Sequence, residues 1–443
     1  MDTIYALASG QGRAGIAVVR VSGPRAFESL SLLTDSKVET RKATLVTLIN
    51  HNDQSVIDEA VVITYASPNS YTGENTVEYN IHGGTAVRDS LFSALSNMDM
   101  HRMAEPGEFT RRAFENGQMD LTQAEAVADL IHAETESQKQ LALNQMGGSL
   151  FALYQGWAEK LVRALAYAEA QIDFADEDLP DDEVKSHIRP VLDDVSRETE
   201  AHLNDGNKGE IMRDGVKIAI IGAPNAGKSS LINELAKRDV AIVSDIAGTT
   251  RDVLEVHMDI NGYAVVFYDT AGLRPGLLNL NNDHDKIESE GIRRALEKAK
   301  EADFKILLFD GAKELDQETL SLHDEKSQIV VNKIDLMVSV NNNDYIHIST
   351  KTGQGFDGLI ANISCEVSKI FDNMGNSPLL TRARHREALI EAQDHVNRAK
   401  NGFSPDMIAE DIRMAVRAIG RITGKTDVED LLDIIFRDFC IGK

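Results

Sequence analysis

At 443 residues, with 42% hydrophobic and 26% charged side chains, the chain is long enough for more than one domain and has the composition of an ordinary globular protein. Its formal net charge of −25 excludes a protein whose whole surface coats nucleic acid, while leaving room for a local basic patch. Cys365 and Cys440 make no disulfide framework and no zinc-spaced cluster. No apolar run approaches the ~18 residues of a membrane span, and the start Met1-Asp-Thr-Ile-Tyr-Ala has no secretory pattern, so the expected location is cytoplasmic.

Up to about residue 117, apolar β-rich runs at 16–21, 60–65 and 77–81 lie between Gly, Pro, Asn and Ser punctuation, which predicts a mixed α/β domain with a sheet. From Leu121 the pattern becomes helical. Leu150, Tyr154, Trp157, Leu161, Leu165, Ala168 and Ile172 recur at steps of three and four, predicting one long helix with the single tryptophan in its core stripe. The acidic stretch 173–183, with Pro180, breaks that pattern, and a further helix is expected to run to about His202. A strand at 216–221 opens an α/β nucleotide domain that continues to about Phe371. Helical periodicity returns from about Leu379 almost to Lys443, interrupted at Gly402, Ser404 and Pro405. The predicted organisation is an N-terminal domain over 1–117, a helical domain in two halves (118–214 and 372–443) and a nucleotide domain inserted over 215–371. Two basic runs stand out in the last part. Arg413, Arg417, Arg421 and Lys425, each four apart, are expected on one side of a helix, and Arg382, Arg384, His385 and Arg386 form the other. Solvated faces paired with acids are favoured over RNA contact for both.

The inserted domain carries the chemistry. Gly222-Ala-Pro-Asn-Ala-Gly-Lys-Ser229 matches the phosphate-loop pattern G-x-x-x-x-G-K-[ST]. Such a loop turns backbone N–H groups inward around phosphates, and the following helix adds its dipole. Asn225, Ala226, Gly227, Lys228, Ser229 and Ser230 would line the phosphates, with Lys228 reaching the β- and γ-groups and Ser229 binding Mg²⁺. Asp269-Thr270-Ala271-Gly272 follows an apolar strand. There Asp269 is placed for the metal shell and the Gly272 amide for sensing the γ-phosphate. Asn332-Lys333-Ile-Asp335 selects the base, because the Asp335 carboxylate can accept from guanine N1–H and N2–H₂ and adenine offers no such donor pair. Ser349-Thr350-Lys351 completes the set. The first switch should contain Gly248-Thr-Thr-Arg-Asp252, with Thr250 closing on Mg²⁺. The residue after Gly272 is Leu273, where Ras-like proteins place a water-orienting glutamine. Another group must place the water, and another cation must neutralise the transition state. Asn225 and Glu288 are the groups on offer.

With these residues in place, the chain resembles the MnmE (TrmE) family of tRNA modification GTPases over nearly its full length. The terminal segments carry the resemblance: Gly12-Arg-Ala-Gly-Ile-Ala-Val-Val-Arg-Val-Ser-Gly-Pro24, Ser70-Tyr-Thr-Gly-Glu74, His82-Gly-Gly84, Arg102-Met-Ala-Glu-Pro-Gly-Glu-Phe-Thr-Arg-Arg112, Met119-Asp-Leu-Thr-Gln-Ala-Glu-Ala126 and Phe439-Cys-Ile-Gly-Lys443. It implies an N-terminal mixed α/β folate-binding and dimerisation domain, a helical domain and an inserted Ras-like P-loop GTPase domain. It further implies work with the FAD protein MnmG (GidA) in a heterotetramer. That complex adds an aminomethyl-type group at C5 of the wobble uridine of certain tRNAs, from a tetrahydrofolate one-carbon unit in formyl or methylene form.

By the same resemblance the cofactors are GTP, Mg²⁺, K⁺ and the folate. The switch I stretch Ser244, Asp245, Ile246, Ala247, Gly248, Thr249 and Thr250 would close over GTP, with Asn225, Ser244, Ile246 and Thr249 around K⁺ and Ser229 and Thr250 on Mg²⁺. Potassium would act where other GTPases use an arginine finger, and would hold two G domains together. Glu288 matches the water-positioning glutamate and Arg274 a switch II arginine. Cys440 stands where the family keeps a cysteine for tRNA modification, and a buried thiol is the plainer reading of its apolar neighbours. Arg20 and Lys443 would bind the folate glutamyl tail, Glu78 the pterin, and Gln118 stands at a further contact where many relatives carry a basic residue. Ser244 replaces a common threonine, and the segment 275–285 is long for the family. A ribosome-assembly GTPase and a regulatory switch without RNA chemistry are the competing classes. The folate-like N-terminus and the Cys440-Ile-Gly-Lys443 end disfavour both.

Overall fold

A computed structural model describes residues 2–173, 181–238, 241–242, 255–269, 301–337, 344–372, 377–426, 428–437, 439 and 441–442. The chain divides into two units, with residues 1–128, 145–195 and 394–443 in the first and residues 129–144 and 196–393 in the second. No helix among the described residues is long and apolar enough to cross a membrane.

In the first unit, alternating apolar and polar residues build a sheet. Strands β1 (Thr3–Leu7), β2 (Ala14–Ser22), β3 (Thr44–Ile49), β4 (Val56–Tyr65), β5 (Thr76–Gly83) and β6 (His101–Met103) lie in the order β3-β4-β5-β2-β1-β6. Neighbours run antiparallel except β1 and β6. Successive side chains of a strand point to opposite faces. Val19 and Val21, Val46 and Leu48, and Val77, Tyr79 and Ile81 therefore share one core with Leu30 and Leu33 of the helix Ala26–Leu33 and Leu91 and Leu95 of the helix Thr85–Ser96. The same alternation sends Arg20 and Glu78 to the other face, where they are register partners across β2 and β5.

The predicted long helix runs Ser149–Asp173, and Trp157 is 2% exposed on its buried stripe. Ala164 takes the buried position expected for Leu165, because seven residues beyond Trp157 the helix returns to the same side. This helix packs on the helix Pro405–Thr423. The start of the second helix follows its sequence signals, with Ser404 Oγ accepting from Met407 N at 3.5 Å and Pro405 in the first turn. Its end corrects the sequence reading. The helix closes at Gly424, so Lys425 lies beyond it and not on the helical side that carries Arg413, Arg417 and Arg421.

The end of the chain packs onto its beginning. Val428, Leu432, Phe436 and Phe439 share a core with Leu121, Ala124 and Phe114. Arg111 Nη1 donates to Asp433 Oδ1 at 2.7 Å, and Ile441 bridges to Pro106. Gly442 approaches β1 so closely that a Cβ there would lie 2.0 Å from Leu7 O, a contact only glycine permits.

In the second unit, β7 (Val216–Ile221), β8 (Ala241–Ile242), β9 (Glu255–Ile260), β10 (Tyr263–Asp269), β11 (Phe304–Asp310), β12 (Ser327–Asn332) and β13 (Ile346–His347) lie in the order β13-β12-β11-β7-β10-β9-β8. The five strands from β13 to β10 are parallel, and β9 and β8 add antiparallel edges. Parallel strands are covered on both faces and read as continuous apolar runs. Ile218, Ile220, Phe267, Ile306 and Leu308 pack on one face with Leu231 and Ile232 of the helix Lys228–Ala236 and Leu359 and Ile363 of the helix Phe356–Phe371. Ala219, Ile221, Leu307, Phe309 and Val331 form the core of the other. The flanking stretches join this unit through polar clasps. Gln138 Nε2 donates to Arg213 O at 2.8 Å, Arg382 pairs with Asp129 at 2.7 Å, and Arg386 with Asp205 at 3.0 Å and Glu210 at 3.2 Å. Arg382 and Arg386 are thus committed to acids, and His385 between them is fully buried.

Candidate functional site: a nucleotide cleft at the strand ends

The central strand β7 has β11 on one side and β10 on the other, so chain order reverses at its carboxyl end. In open α/β sheets ligands bind at that crevice. The phosphate loop follows β7 there and leads into the helix Lys228–Ala236. Gly227 at φ +102 ends the loop, and a Cβ on it would lie 2.3 Å from Asn332 Nδ2. Lys228 Nζ is buried and donates to Gly222 O at 2.7 Å and Ala223 O at 3.3 Å, so its ammonium is held within the loop. Ala226 is buried, while Asn225, Ser229 and Ser230 are exposed on the loop and first turn.

Three motifs far apart in sequence are tied together by one side chain. Asn332, fully buried at the end of β12, donates from Nδ2 to Ala226 O at 2.9 Å and accepts at Oδ1 from Thr350 N at 3.1 Å. The next residue, Lys333 (φ +64), donates from Nζ to Asn225 O at 2.7 Å. Asp335 is exposed, and its Oδ1 accepts from Ser349 Oγ at 2.7 Å. Its Oδ2 has no hydrogen-bond partner among the described residues. Ser349 is fully buried and its Oγ also accepts from Thr352 N, which fixes the turn that presents Asp335; Lys351 beside it is exposed. The arrangement sets a carboxylate at one end of the cleft and a phosphate-loop motif at the other, chemistry that suits a guanine edge and phosphates.

Asp310, absent from the sequence reading, supports this set through Lys333 without belonging to it. It ends β11 in register with Asn332, and its Oδ2 pairs with Lys333 Nζ at 2.7 Å. Burial pulls its carboxyl upward, but the Lys333 ammonium and the Ala312 amide outweigh burial and hold it below the usual carboxylate range. A signal existed: like Asp269, Asp310 is an acid closing an apolar strand ahead of a glycine-containing turn. The backbone of Asp269 ends β10 in register with Ile220 of β7. Ser244, Asp245, Ile246, Ala247, Gly248, Thr249, Thr250, Thr270, Ala271, Gly272, Arg274 and Glu288 lie outside the described residues, as do Cys440, Lys443 and the segment 275–285.

A second constellation occupies the first unit. Arg20 Nε and Nη2 donate to Glu78 Oε1 at 3.0 and 2.9 Å, and Tyr65 Oη donates to Glu78 Oε2 at 3.2 Å. The Arg20 guanidinium also lies 5.0 Å from the Tyr71 ring centroid and 5.7 Å from that of Phe109, within cation–π range. Tyr71 Oη shares a 2.8 Å hydrogen bond with Thr110 Oγ1, and burial pushes its phenol above the ordinary range. A guanidinium and a carboxylate framed by aromatic rings suit a planar heterocycle with an anionic tail. Gln118 is exposed beside the turn at Gly73, where a Cβ would meet its Nε2 at 3.1 Å. Gly442 abuts Leu7, next in β1 to the Ala6 that pairs with Arg20, so the end of the chain runs close to this site. Sequence reasoning missed Tyr65, Tyr71, Phe109 and Thr110 as members, although Tyr71, Phe109 and Thr110 lie inside segments that carry the family resemblance.

Comparison with known proteins agrees in extent along the chain. A family profile described as "GTP-binding protein TrmE N-terminus" matches residues 3–118, and one described as "MnmE helical domain" matches residues 121–440. The chain is 48% identical to the tRNA modification GTPase MnmE of Paramagnetospirillum magneticum and 49% identical to that of Parvibaculum lavamentivorans, each alignment covering 100% of both proteins. Identity to the Rhodospirillum rubrum protein of the same name is 45%, again over 100% of each. The G domain of the T. maritima FeoB iron transporter is similar at 25% identity over 34% of this chain and 98% of that one, with a TM-score of 0.26, too low to inform the fold.

Proposed function

The chain belongs to the MnmE family of tRNA modification GTPases, and on that premise we propose that it is a K⁺-activated GTPase that modifies C5 of the wobble uridine of certain tRNAs. Its partner is the FAD protein MnmG, the one-carbon unit comes from a tetrahydrofolate, and hydrolysis is driven by pairing of two G domains. In this reading the N-terminal domain over 1–117 binds folate and dimerises, and the G domain over 215–371 is inserted between two helical halves. The protein acts in the cytoplasm. The observation that carries the guanine-nucleotide part is the Asn332 tie, which holds phosphate loop, base-recognition carboxylate and Ser349 turn in one frame.

Within that frame each residue has a task. Lys228 and the amides of the loop bind the phosphates, and Asp335 binds the guanine edge. Ser229 and Thr250 are the residues that would hold Mg²⁺. Asn225, exposed in the left-handed region at φ +67, offers a hard amide oxygen at the lip of the loop, which fits a K⁺ ligand. Ser244, Ile246 and Thr249 would complete that set. Bound K⁺ would supply a fixed positive charge beside the β–γ bridge, where Leu273 leaves no glutamine to orient water. Glu288 positions the water, Arg274 belongs to switch II, and Cys440 serves the tRNA chemistry. In the first unit, the Arg20–Glu78 pair with its aromatic frame supports a folate site in which Glu78 holds the pterin, Arg20 and Lys443 the glutamyl tail, and Gln118 an outer contact.

The test is steady-state GTP hydrolysis in KCl and in NaCl at equal ionic strength, with Asn225→Ala alongside. The proposal expects strong K⁺ stimulation that the variant loses. Equal, slow rates in both salts would remove the K⁺ assignment.

A further inference from the structure

Asp310 has no role in the function proposed above, yet it ends a chain of contacts that begins at the phosphate loop. Lys333 Nζ is shared between Asn225 O and Asp310 Oδ2, each at 2.7 Å. The carboxylate is itself held in place. Its Oδ1 accepts from Ala312 N at 3.0 Å, Gly311 N donates to Asn332 O at 2.8 Å, and its side chain is 11% exposed. Two successive carbonyls of the loop are therefore anchored from β12, Asn225 O by Lys333 and Ala226 O by Asn332. Anchoring both carbonyls fixes the peptide planes on either side of Ala226, and with them the direction in which Asn225 leaves the loop.

The two anchors differ in kind. Asn332 is neutral, fully buried and held on both sides. Lys333 is a flexible ammonium with 30% of its side chain exposed, and Asp310 is its one acidic partner among the described residues. Without the carboxylate, a long side chain held by a single carbonyl gains more from hydration and rotamer freedom than from that one bond.

We propose that Asp310 is a positioning residue that acts through Lys333 to hold Asn225 in the orientation needed for a monovalent cation, while touching neither cation nor nucleotide. The inference rests on the reading of Asn225 as a K⁺ ligand. It predicts that removing the Asp310 charge raises the K⁺ concentration needed, with little change once K⁺ saturates.

Two readouts test it in the full-length protein. One is the KCl dependence of GTP hydrolysis at constant ionic strength. The other, without turnover, is the melting temperature of the GDP–aluminium fluoride complex as KCl replaces NaCl. For Asp310→Asn, both K⁺ midpoints should rise by about 3- to 10-fold, with the rate at saturating K⁺ within about twofold of wild type. Asp310→Glu, which keeps the charge, should shift them less. Asp310→Ser keeps an acceptor for the Ala312 amide without charge and should behave as Asp310→Asn does, which covers failure of the Asn variant to fold. A lower melting temperature with wild-type K⁺ midpoints would overturn the inference and leave Asp310 a packing role. A wild-type protein whose rate and melting temperature ignore K⁺ would instead remove the cation reading, and this inference with it.

Discussion

The two sheets bury their strands differently, and that sets where each can hold polar chemistry. In β7–β13 the central strands are covered on both faces, so their middles are apolar and the described polar groups of the cleft, Lys228, Asn332, Lys333 and Asp335 among them, sit at or beyond a strand end. In β1–β6 one face packs its apolar residues on two helices, while the other carries only a small apolar cluster, Ile4 and Ala6 with Ala104 and Phe109, so Arg20, Glu78 and Tyr65 can stand within the strands as a cross-strand ladder. A site at strand ends consists of loops held together by a few buried anchors. A site within strands inherits its geometry from the hydrogen-bond ladder. The first should lose function steeply when an anchor or a phosphate contact is removed, whereas the second should lose ligand binding with modest effects on stability.

Lys228→Ala is the largest expected break on the strand-end side. Loss of a preorganised donor at the phosphates should lower GTP hydrolysis by about 10²- to 10³-fold, and a fall of only a few-fold would contradict its assigned role. Asp335→Asn should change preference rather than abolish binding. Its amide can donate to the C2 carbonyl of xanthine where the carboxylate accepted from guanine, so competition between GTP and XTP should shift toward XTP by about 100-fold or more.

A pH titration separates the two units. Burial pushes the His202 imidazole of the second unit down to about 4. Its folded value lies below its unfolded one, so its contribution is present above about pH 6.5 and is lost as pH falls toward 4, by ~2–3 kcal/mol at most. Trp157, the single tryptophan, reports the first unit, and a bound fluorescent nucleotide reports the second. Nucleotide release should precede the Trp157 signal on acidification, and His202→Gln should delay it. Coincident transitions in both proteins would count against a separate weakness in the second unit. The smallest stability effect belongs to the strand ladder. The Arg20–Glu78 pair is 16% and 19% exposed, so Arg20→Met should cost about 1 kcal/mol on melting while abolishing the proposed folate binding, read by calorimetry. A loss of several kcal/mol would mark the pair as structural instead.

Legibility follows the same division. The described part of the cleft was readable because its motifs are contiguous, and a phosphate loop or an N-K-x-D turn acts through local backbone. The parts missed, Asp310 and the Asn332–Ala226 tie, depend on which strands are neighbours, which no local pattern encodes. The strands around Arg20 were readable from apolar β-rich runs between turn residues, but its setting was not, since Tyr65, Tyr71 and Phe109 converge from three segments. The expectation of solvated faces paired with acids holds for some members of the basic runs and fails for His385, which is buried. Arg382, Arg386 and Arg413 all meet acids, Arg413 through Glu169 at 3.0 Å. Lys425 was misplaced because four-residue spacing was followed through Gly424, a helix-ending signal.

The most direct test of the account is nucleoside mass spectrometry of bulk tRNA from a strain lacking this gene, complemented by the wild type or by Lys228→Ala. The account predicts that the aminomethyl-type C5 modification of wobble uridine disappears in the deletion, returns with the wild type and fails to return with the variant. Intact modification in the deletion strain, accompanied by a ribosome-assembly defect, would contradict it.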